Sequence, residues 1–164
     1  MTWNNIFDVL TIFIGLGALI VSIIAIVSTK RSEKRRKLKD TIIGELIKFE
    51  SNISLYLDPI LTQKMTYSGQ ETISWFKFTM MKLEAILQFI KTNTNYNGEK
   101  DNDLKQNIQN LRQLINEDQE FMKACSNNEK YCLLNTTLLE INKEYTSFYT
   151  NILLLIGTIN ALQK

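Results

Sequence analysis

The sequence predicts an all-α protein in which a single N-terminal transmembrane helix continues into a cytoplasmic helical bundle. Three observations favour this class. Apolar residues recur at alternating steps of three and four over most of the chain, which is the spacing of one helix face. Only one proline and six glycines occur in 164 residues, which argues against a turn-rich β protein. An uncharged apolar run near the N-terminus has the length of a bilayer-spanning helix.

Residues 9–29 form this run, and Ile, Leu, Val and Phe dominate it. As an α-helix the run would extend about 30 Å, the thickness of the hydrocarbon core of a bilayer. A cleaved signal peptide is the alternative interpretation. It is disfavoured because residues 1–8 contain no Lys or Arg and because no small-residue cleavage site follows the run. The pattern therefore predicts a transmembrane helix at 9–29.

A basic juxtamembrane segment directly follows this span. The formal net charge of the chain is +2, yet residues 30–39 carry seven Lys or Arg and only one Glu. Because positive segments stay on the cytoplasmic side, residues 1–8 should form an extracytoplasmic tail and residues 40–164 a cytoplasmic helical domain at the cell membrane. That domain is mildly acidic, which disfavours long nucleic acid as a partner. The predicted contacts to lipid head groups are Lys30, Arg31, Lys34, Arg35, Arg36, Lys37 and Lys39.

Small residues form a stripe along the predicted span. Small side chains let membrane helices approach closely and gain van der Waals contacts. Since the chain has one convincing span, the expected partner is the same span of another copy, which predicts a homo-oligomer. The residues of this predicted interface are Thr11, Gly15, Ala18, Ser22 and Ala25.

The first cytoplasmic helix continues the membrane helix with an apolar stripe from Leu38 to Tyr56. Asp58-Pro59 should end this helix, because the residue before a proline is pushed out of the helical region. Residues 59–70 are then a connector, in which Ser68-Gly69 is predicted to form a turn.

Two further helices are expected before residue 126. The helix at 71–92 has a broad apolar face and should be deeply buried. The next helix should run without interruption to Cys125, with Asp101 or Asp103 as its cap. The acidic residues on its later turns are interpreted as a solvated face; these are Glu117, Asp118 and Glu120.

The last predicted helix, at 131–162, has the most regular apolar spacing in the chain. This seam could face the chain's own helices or the same helix of another subunit. A second membrane span at 145–162 is an alternative, although its Thr and Asn residues would be costly in lipid. The predicted seam residues include Leu134, Leu138, Ile141, Tyr145, Phe148 and Ile152.

The sequence contains no constellation that indicates catalysis. Histidine is absent, and no nucleophile, phosphate-loop or metal-ligand motif is found, so we expect no enzyme activity, cofactor or metal. Cys125 and Cys132 are interpreted as small apolar residues. Lys105 and Arg112 lie seven residues apart and are the candidate anion-binding pair; the alternative is that both are ordinary surface residues.

A small-residue membrane helix, a basic collar and a compact cytoplasmic helical domain together resemble the small membrane effectors of bacterial antiviral systems, in particular those of type III CRISPR defence. The resemblance implies that a cyclic oligoadenylate binds an oligomer and triggers damage to the host membrane. We therefore expect a ligand-responsive membrane sensor or effector. The alternative is a membrane-anchored scaffold that docks a partner protein through 131–162 or 71–92.

Overall fold

The computed structural model describes the backbone of residues 3–64, 67–127 and 129–162, and the side chains of these residues except 3–20 and 23. Within these ranges the chain forms five α-helices and no β-strand, so the predicted all-α class is confirmed. The helices are α1 (Trp3–Leu61), α2 (Gly69–Asn93), α3 (Asp101–Glu117), α4 (Gln119–Asn127) and α5 (Asn135–Ala161).

The chain divides into two compact units, Met1–Thr41 (the N-terminal unit) and Ile42–Lys164 (the C-terminal unit). The backbone of the N-terminal unit is helical from Trp3. Within the described residues, no helix has a stretch that is both long and apolar enough to cross a membrane. Most of the predicted span, residues 9–20 and 23, lies outside the side chains that the structure describes.

The core of the C-terminal unit is built by the apolar stripes of α1, α3 and α5. On α1, the predicted stripe residues Ile42, Leu46, Phe49, Ile53 and Tyr56 are all buried, which confirms that part of the prediction. Burial of each such large apolar side chain stabilises the fold by roughly 1.5–3 kcal/mol. The buried seam of α5 comprises Ile141, Phe148, Ile152, Leu155 and Ile159.

The α5 seam packs against helices of its own chain. The ring of Phe148 meets that of Phe49 on α1 with the centroids 6.2 Å apart, and α5 also packs along α3. The predicted start at residue 131 is wrong, because α5 begins at Asn135. Leu134 is an exposed N-cap residue rather than a seam residue, while Leu138 and Tyr145 are half-buried.

Helix α1 does not end at Asp58-Pro59 as predicted, because Pro59 lies inside the helix and α1 continues to Leu61. The end is a Schellman motif, in which the Gln63 N–H donates to Ile60 O and the Lys64 N–H to Pro59 O. Gln63 takes the left-handed conformation, with φ of 55°, that a glycine usually supplies. Because position 63 is not a glycine, the sequence did not indicate that α1 ends there.

The predicted turn at Ser68-Gly69 is instead the start of α2. Ser68 is the N-cap, and its hydroxyl accepts from Glu71 N while the Glu71 carboxylate accepts from Ser68 N. This reciprocal capping box satisfies donors that the first helical turn leaves unpaired. Gly69 is required by close packing rather than by a turn, because a Cβ there would lie 3.0 Å from the Cα of Cys125 on α4.

The predicted third helix is interrupted at Asp118, which separates α3 from α4. Asp118 is buried, so its interpretation as part of a solvated face is wrong. Its Oδ1 accepts from Glu120 N (2.9 Å) and Phe121 N (3.2 Å), which caps α4. Its Oδ2 accepts from Leu134 N (2.9 Å) and from Thr137 Oγ1 (2.7 Å) at the start of α5.

The expected caps of α3 are also wrong. Lys100 is the N-cap residue and makes no side-chain capping bond. Asp101 already lies in the helix, where its buried carboxylate pairs with the Lys91 ammonium of α2 at 2.5 Å. Asp103 pairs with Lys100 at 3.2 Å. Both aspartates still place negative charge at the positive end of the helix dipole.

A polar network joins α3 to α5 inside the bundle. Buried Asn107 donates through Nδ2 to Glu144 Oε1 (2.6 Å) and Ser147 Oγ (3.2 Å), and its Oδ1 accepts from Asn151 Nδ2 (2.8 Å). Asn110 Nδ2 donates to the same Glu144 oxygen at 3.1 Å. Because buried polar groups are costly without partners, this network favours one register of α5 on α3.

We expect Asp118→Ala to destabilise the protein by about 3 kcal/mol, because the change removes the cap of α4 and the shared acceptor of two donors at the start of α5. Urea unfolding of the full chain in a mild detergent, followed by circular dichroism, measures the loss. Glu117→Ala, at the exposed neighbouring position, is the matched control and should stay within about 0.5 kcal/mol of the parent. Equal unfolding midpoints for the two variants would contradict the role given to Asp118.

Candidate functional site

An open groove of about 420 Å³ lies between α1 and α2 of the C-terminal unit. This volume is within the roughly 300–1,000 Å³ that is typical of small-molecule sites. Five aromatic or other large apolar side chains of the lining come from α1 and the α1–α2 connector. Four lining residues come from α2, and the remaining one is the amide side chain of Asn52 on α1. The lining residues are Phe49, Asn52, Ile53, Leu55, Tyr56, Tyr67, Trp75, Phe78, Thr79 and Lys82.

Three aromatic rings of the groove form a continuous stack. The Tyr67 and Tyr56 rings are 4.2 Å apart with an interplanar angle of 18°, and the Tyr56 and Trp75 rings are 3.9 Å apart at 9°. Tyr56 on α1 is buried in the middle, whereas Tyr67 of the connector and Trp75 of α2 are half-buried at the ends. The Trp75 and Phe76 rings meet in a T-shaped arrangement at a centroid distance of 4.9 Å. The arrangement is a partly exposed aromatic surface held by two helices and a connector.

The buried hydroxyl of Thr72 holds the middle ring in place. Thr72 Oγ1 lies 2.9 Å from Tyr56 Oη and 2.8 Å from Tyr131 Oη, and it donates to Ser68 O at 3.2 Å. One hydroxyl can donate once and accept twice, so both tyrosines can donate to Thr72 while Thr72 donates to the carbonyl. Every hydroxyl hydrogen of this cluster then has an acceptor.

Burial keeps the tyrosines of this cluster neutral. Desolvation raises the pKa of Tyr56 to about 12, although its hydrogen bond with Thr72 acts in the opposite direction. Desolvation likewise raises the pKa of Tyr131, a buried residue whose ring meets that of Phe121 in a T-shaped arrangement. A neutral hydroxyl remains a donor, so the cluster keeps its hydrogen bonds over the physiological pH range.

The groove carries one positive charge and no negative charge. Lys82 is the single ionisable cation among the lining residues, and none of them is Asp or Glu. Within the described part of the chain, neither Lys82 nor Asn52 has a hydrogen-bond or ion-pair partner. Two polar side chains are therefore available to a ligand beside the aromatic stack.

The prediction that α2 is deeply buried is wrong. Its buried face is narrow, and three large apolar side chains lie on the opposite side: Phe78 is 71% exposed, Met81 64% and Phe89 44%. Helices α1, α3 and α4 cover one side of α2. Residues on the opposite side of α2 therefore remain exposed to solvent. Phe78, at the rim of the groove, belongs to this exposed face.

The candidate anion pair is not brought into one pocket. Lys105 pairs with Glu84 of α2 at 3.6 Å. Arg112 lines a separate shallow surface groove with Gln109, Gln113, Asn116 and Glu117, and Lys105 is not part of that lining. Both basic residues lie on α3, as the spacing indicated, but this arrangement offers an anion no shared site.

The predicted membrane residues all belong to the N-terminal unit. Thr11, Gly15 and Ala18 lie outside the described side chains, while Ser22 and Ala25 are exposed. The basic residues from Lys30 to Lys37 are exposed as head-group contact requires. Lys39 is buried, so its ammonium group is less accessible to a lipid head group than those of the other basic residues.

The cysteines are free thiols with separate structural contacts. Burial raises the pKa of the Cys125 thiol, which lies against Gly69. The Cys132 thiol donates to Gln63 O at 3.3 Å. Among the residues that the structure describes, no group of three or more Cys, Asp or Glu is placed to hold a metal ion.

Comparisons of the chain with protein-family models, with curated proteins and with solved structures found no match. The candidate site therefore rests on its geometry. Sequence reasoning placed Tyr56 and Trp75 in apolar helix faces and left Tyr67 in a connector, so it missed the groove. The aromatic residue Tyr67 directly precedes the helix cap Ser68, and this position could have indicated a site. The other rings of the stack belong to α1 and α2, so the local sequence did not show that the three rings meet.

We expect Thr72→Val to destabilise the protein by about 2–4 kcal/mol, because two buried tyrosine hydroxyls would lose their shared acceptor. Thr72→Ser keeps the hydroxyl and should cost only about 1 kcal/mol for the lost methyl group. Urea unfolding of both variants measures the difference. If Val proved no more disruptive than Ser, the shared hydrogen bonds would not account for the role of Thr72.

Proposed function

We propose that this chain is a non-enzymatic, membrane-anchored sensor whose C-terminal unit binds a small ligand in the aromatic groove. The observation that supports this most directly is the combination of a partly exposed aromatic stack with Lys82 and Asn52, neither of which has a partner in the described part of the chain. Exposed aromatic patches often mark ligand-binding grooves or protein interfaces. A concave site with a few polar groups is the usual form of a small-molecule site.

The packing of α5 supports a sensor more than a scaffold that uses the 131–162 seam. The central residues of that seam, such as Phe148 and Ile152, are buried against the chain's own helices. A partner protein would have to displace α1 or α3 to reach them. The seam is therefore better explained as the core of a self-contained bundle.

The sequence supports the membrane part of the proposal. The uncharged run at 9–29 has the length of a span, and the basic segment at 30–39 favours a cytoplasmic C-terminal unit. The stripe of small residues favours association of spans from several copies. We propose a homo-oligomer whose membrane helices are in contact through this stripe.

A population shift would link the groove to the membrane. The ligand must bind one arrangement of the oligomer more tightly than another, and each tenfold preference shifts the balance by about 1.4 kcal/mol. The similarity in layout to antiviral membrane effectors supports defence as the biological setting, with a cyclic oligonucleotide as one ligand. Membrane damage would then be the response.

A scaffold remains the second candidate, and one observation favours it. Phe78, Met81 and Phe89 form an exposed apolar row on α2. Aromatic and Met side chains of this kind are enriched in protein interfaces. In this candidate the row docks a partner protein, and the membrane helix only anchors the complex.

We expect the full chain, expressed in bacterial cells, to remain in the membrane fraction after alkaline carbonate extraction. Replacing Leu16 and Ile20 together by Arg should release it into the soluble fraction, because each Arg at the centre of a span costs about 2.5–3.5 kcal/mol. Ile47→Arg, at an exposed position of the C-terminal unit, is the control and should leave the protein in membranes. Recovery of the unaltered chain in the soluble fraction would refute the anchor.

Ligand binding is tested with a Trp3→Phe chain, in which Trp75 is the remaining tryptophan. We expect a protein-free small-molecule extract of bacterial cells to change the Trp75 emission, because a ligand in the groove alters the surroundings of that ring. Tyr67→Ala should reduce the response, whereas Met122→Ala, at an exposed site on α4, should not. An extract that never changes the emission would favour the scaffold instead.

A further inference from the structure

We infer that the aromatic groove binds a planar aromatic or heteroaromatic ring that carries one anionic group. This inference deepens the proposed ligand-binding function and rests on it. Its basis is an open-ended ring stack beside an ammonium group that has no partner. Mononucleotides and aromatic carboxylic acids are the two sources that share this chemistry.

The stack favours a planar guest. Its rings are nearly parallel at centroid distances of 4.2 Å and 3.9 Å, so both faces of the middle ring, Tyr56, are covered. Tyr67 and Trp75 at the ends each stack on Tyr56 and have no second stacked ring among the described aromatic residues, since the contact of Trp75 with Phe76 is T-shaped. A further planar ring at either end would continue the stack in the way that nucleobases stack on aromatic side chains.

The same spacing argues against a cationic guest. An aromatic cage for an ammonium group needs rings that surround an empty centre, and rings about 4 Å apart leave no such space. Lys82 would repel the cation, and the lining contains no carboxylate to offset that repulsion. Charge complementarity therefore selects an anion.

Lys82 is placed to reach an anionic group attached to the stacked ring. It follows Trp75 by seven residues on α2, two turns or about 10 Å along the helix axis, and side chains lean toward the helix N-terminus. Residues 42–164 contain 12 Lys or Arg and 14 Asp or Glu, so the unit as a whole is acidic. The groove lining therefore carries a positive charge in a unit whose net charge is negative.

The remaining polar residue suits the edge of a heteroaromatic ring. Asn52 on α1 has an amide that can both donate and accept, and it lacks a partner in the described structure. A purely hydrocarbon ligand would leave this amide without a hydrogen-bond partner. The three features together, flat rings, one cation and one amide, define the ligand class.

Isothermal titration calorimetry on the full chain in detergent tests this class with four probes. Adenosine monophosphate and 4-hydroxybenzoate carry both the ring and the anion, adenosine carries the ring alone, and inorganic phosphate carries the anion alone. We expect one or both of the first two to bind at least about tenfold more tightly than the last two. Which of the two binds identifies the source of the shared chemistry.

Variants of the groove give a second readout. Trp75→Ala should lower the affinity for the preferred probe by about tenfold to a hundredfold, because stacking is lost. Lys82→Met keeps the aliphatic stem and should lower the affinity for the same probe about tenfold, because the charge is lost. Lys77→Met, at an exposed α2 lysine outside the groove lining, is the matched control and should change affinity by less than about twofold. Circular dichroism checks that each variant is folded.

Several outcomes would overturn the inference. Adenosine or phosphate binding as tightly as the combined probes would do so, as would an unchanged affinity in Lys82→Met. If none of the four probes binds but the cell extract changes Trp75 emission, this inference fails and the proposed ligand-binding function stands. If the extract is also without effect, both fail.

Discussion

The buried carboxylate of Asp118 is the contact on which the rest of the C-terminal unit depends. It ends the run of α3, caps α4 and accepts from the backbone and side chain at the start of α5. The direction of α4 then places Phe121 against Tyr131 at 4.8 Å. Tyr131 reaches Thr72, and Thr72 reaches Tyr56 in the centre of the aromatic stack. A continuous path of packed and hydrogen-bonded side chains thus connects this carboxylate to the groove.

The groove exists because α2 is covered on one side only. Its buried residues, from Thr72 to Ile90, face α1, α3 and α4, and no described helix lies over Phe78, Met81 or Phe89. Single exposed apolar residues are common on proteins, but a row of them beside a concave aromatic site is not. The same incomplete coverage explains why the terminal rings of the stack are only half-buried.

Polar contacts determine how the helices fit together, whereas apolar burial supplies most of the stabilisation. The α3–α5 pair has a continuous apolar seam that several registers could satisfy. The network of Asn107, Glu144 and Asn151 is satisfied in the observed register. Similarly, the Gly69–Cys125 contact lets the start of α2 approach α4 more closely than any side chain at position 69 would allow.

The sequence by itself determined the helical class, the apolar faces of α1, α3 and α5, and the approximate positions of the helices, because these follow from local spacing of apolar residues. It also predicts a membrane span and a basic collar by the same kind of local rule. Only the tertiary structure decided that Asp118 is a buried acceptor shared by α4 and α5, that Pro59 lies within α1 and that α2 has an exposed apolar face. It alone brought Tyr56, Tyr67 and Trp75 into one stack and separated Lys105 from the Arg112 groove. These features depend on contacts between residues distant in sequence, and a periodic pattern carries no information about which element covers a given face.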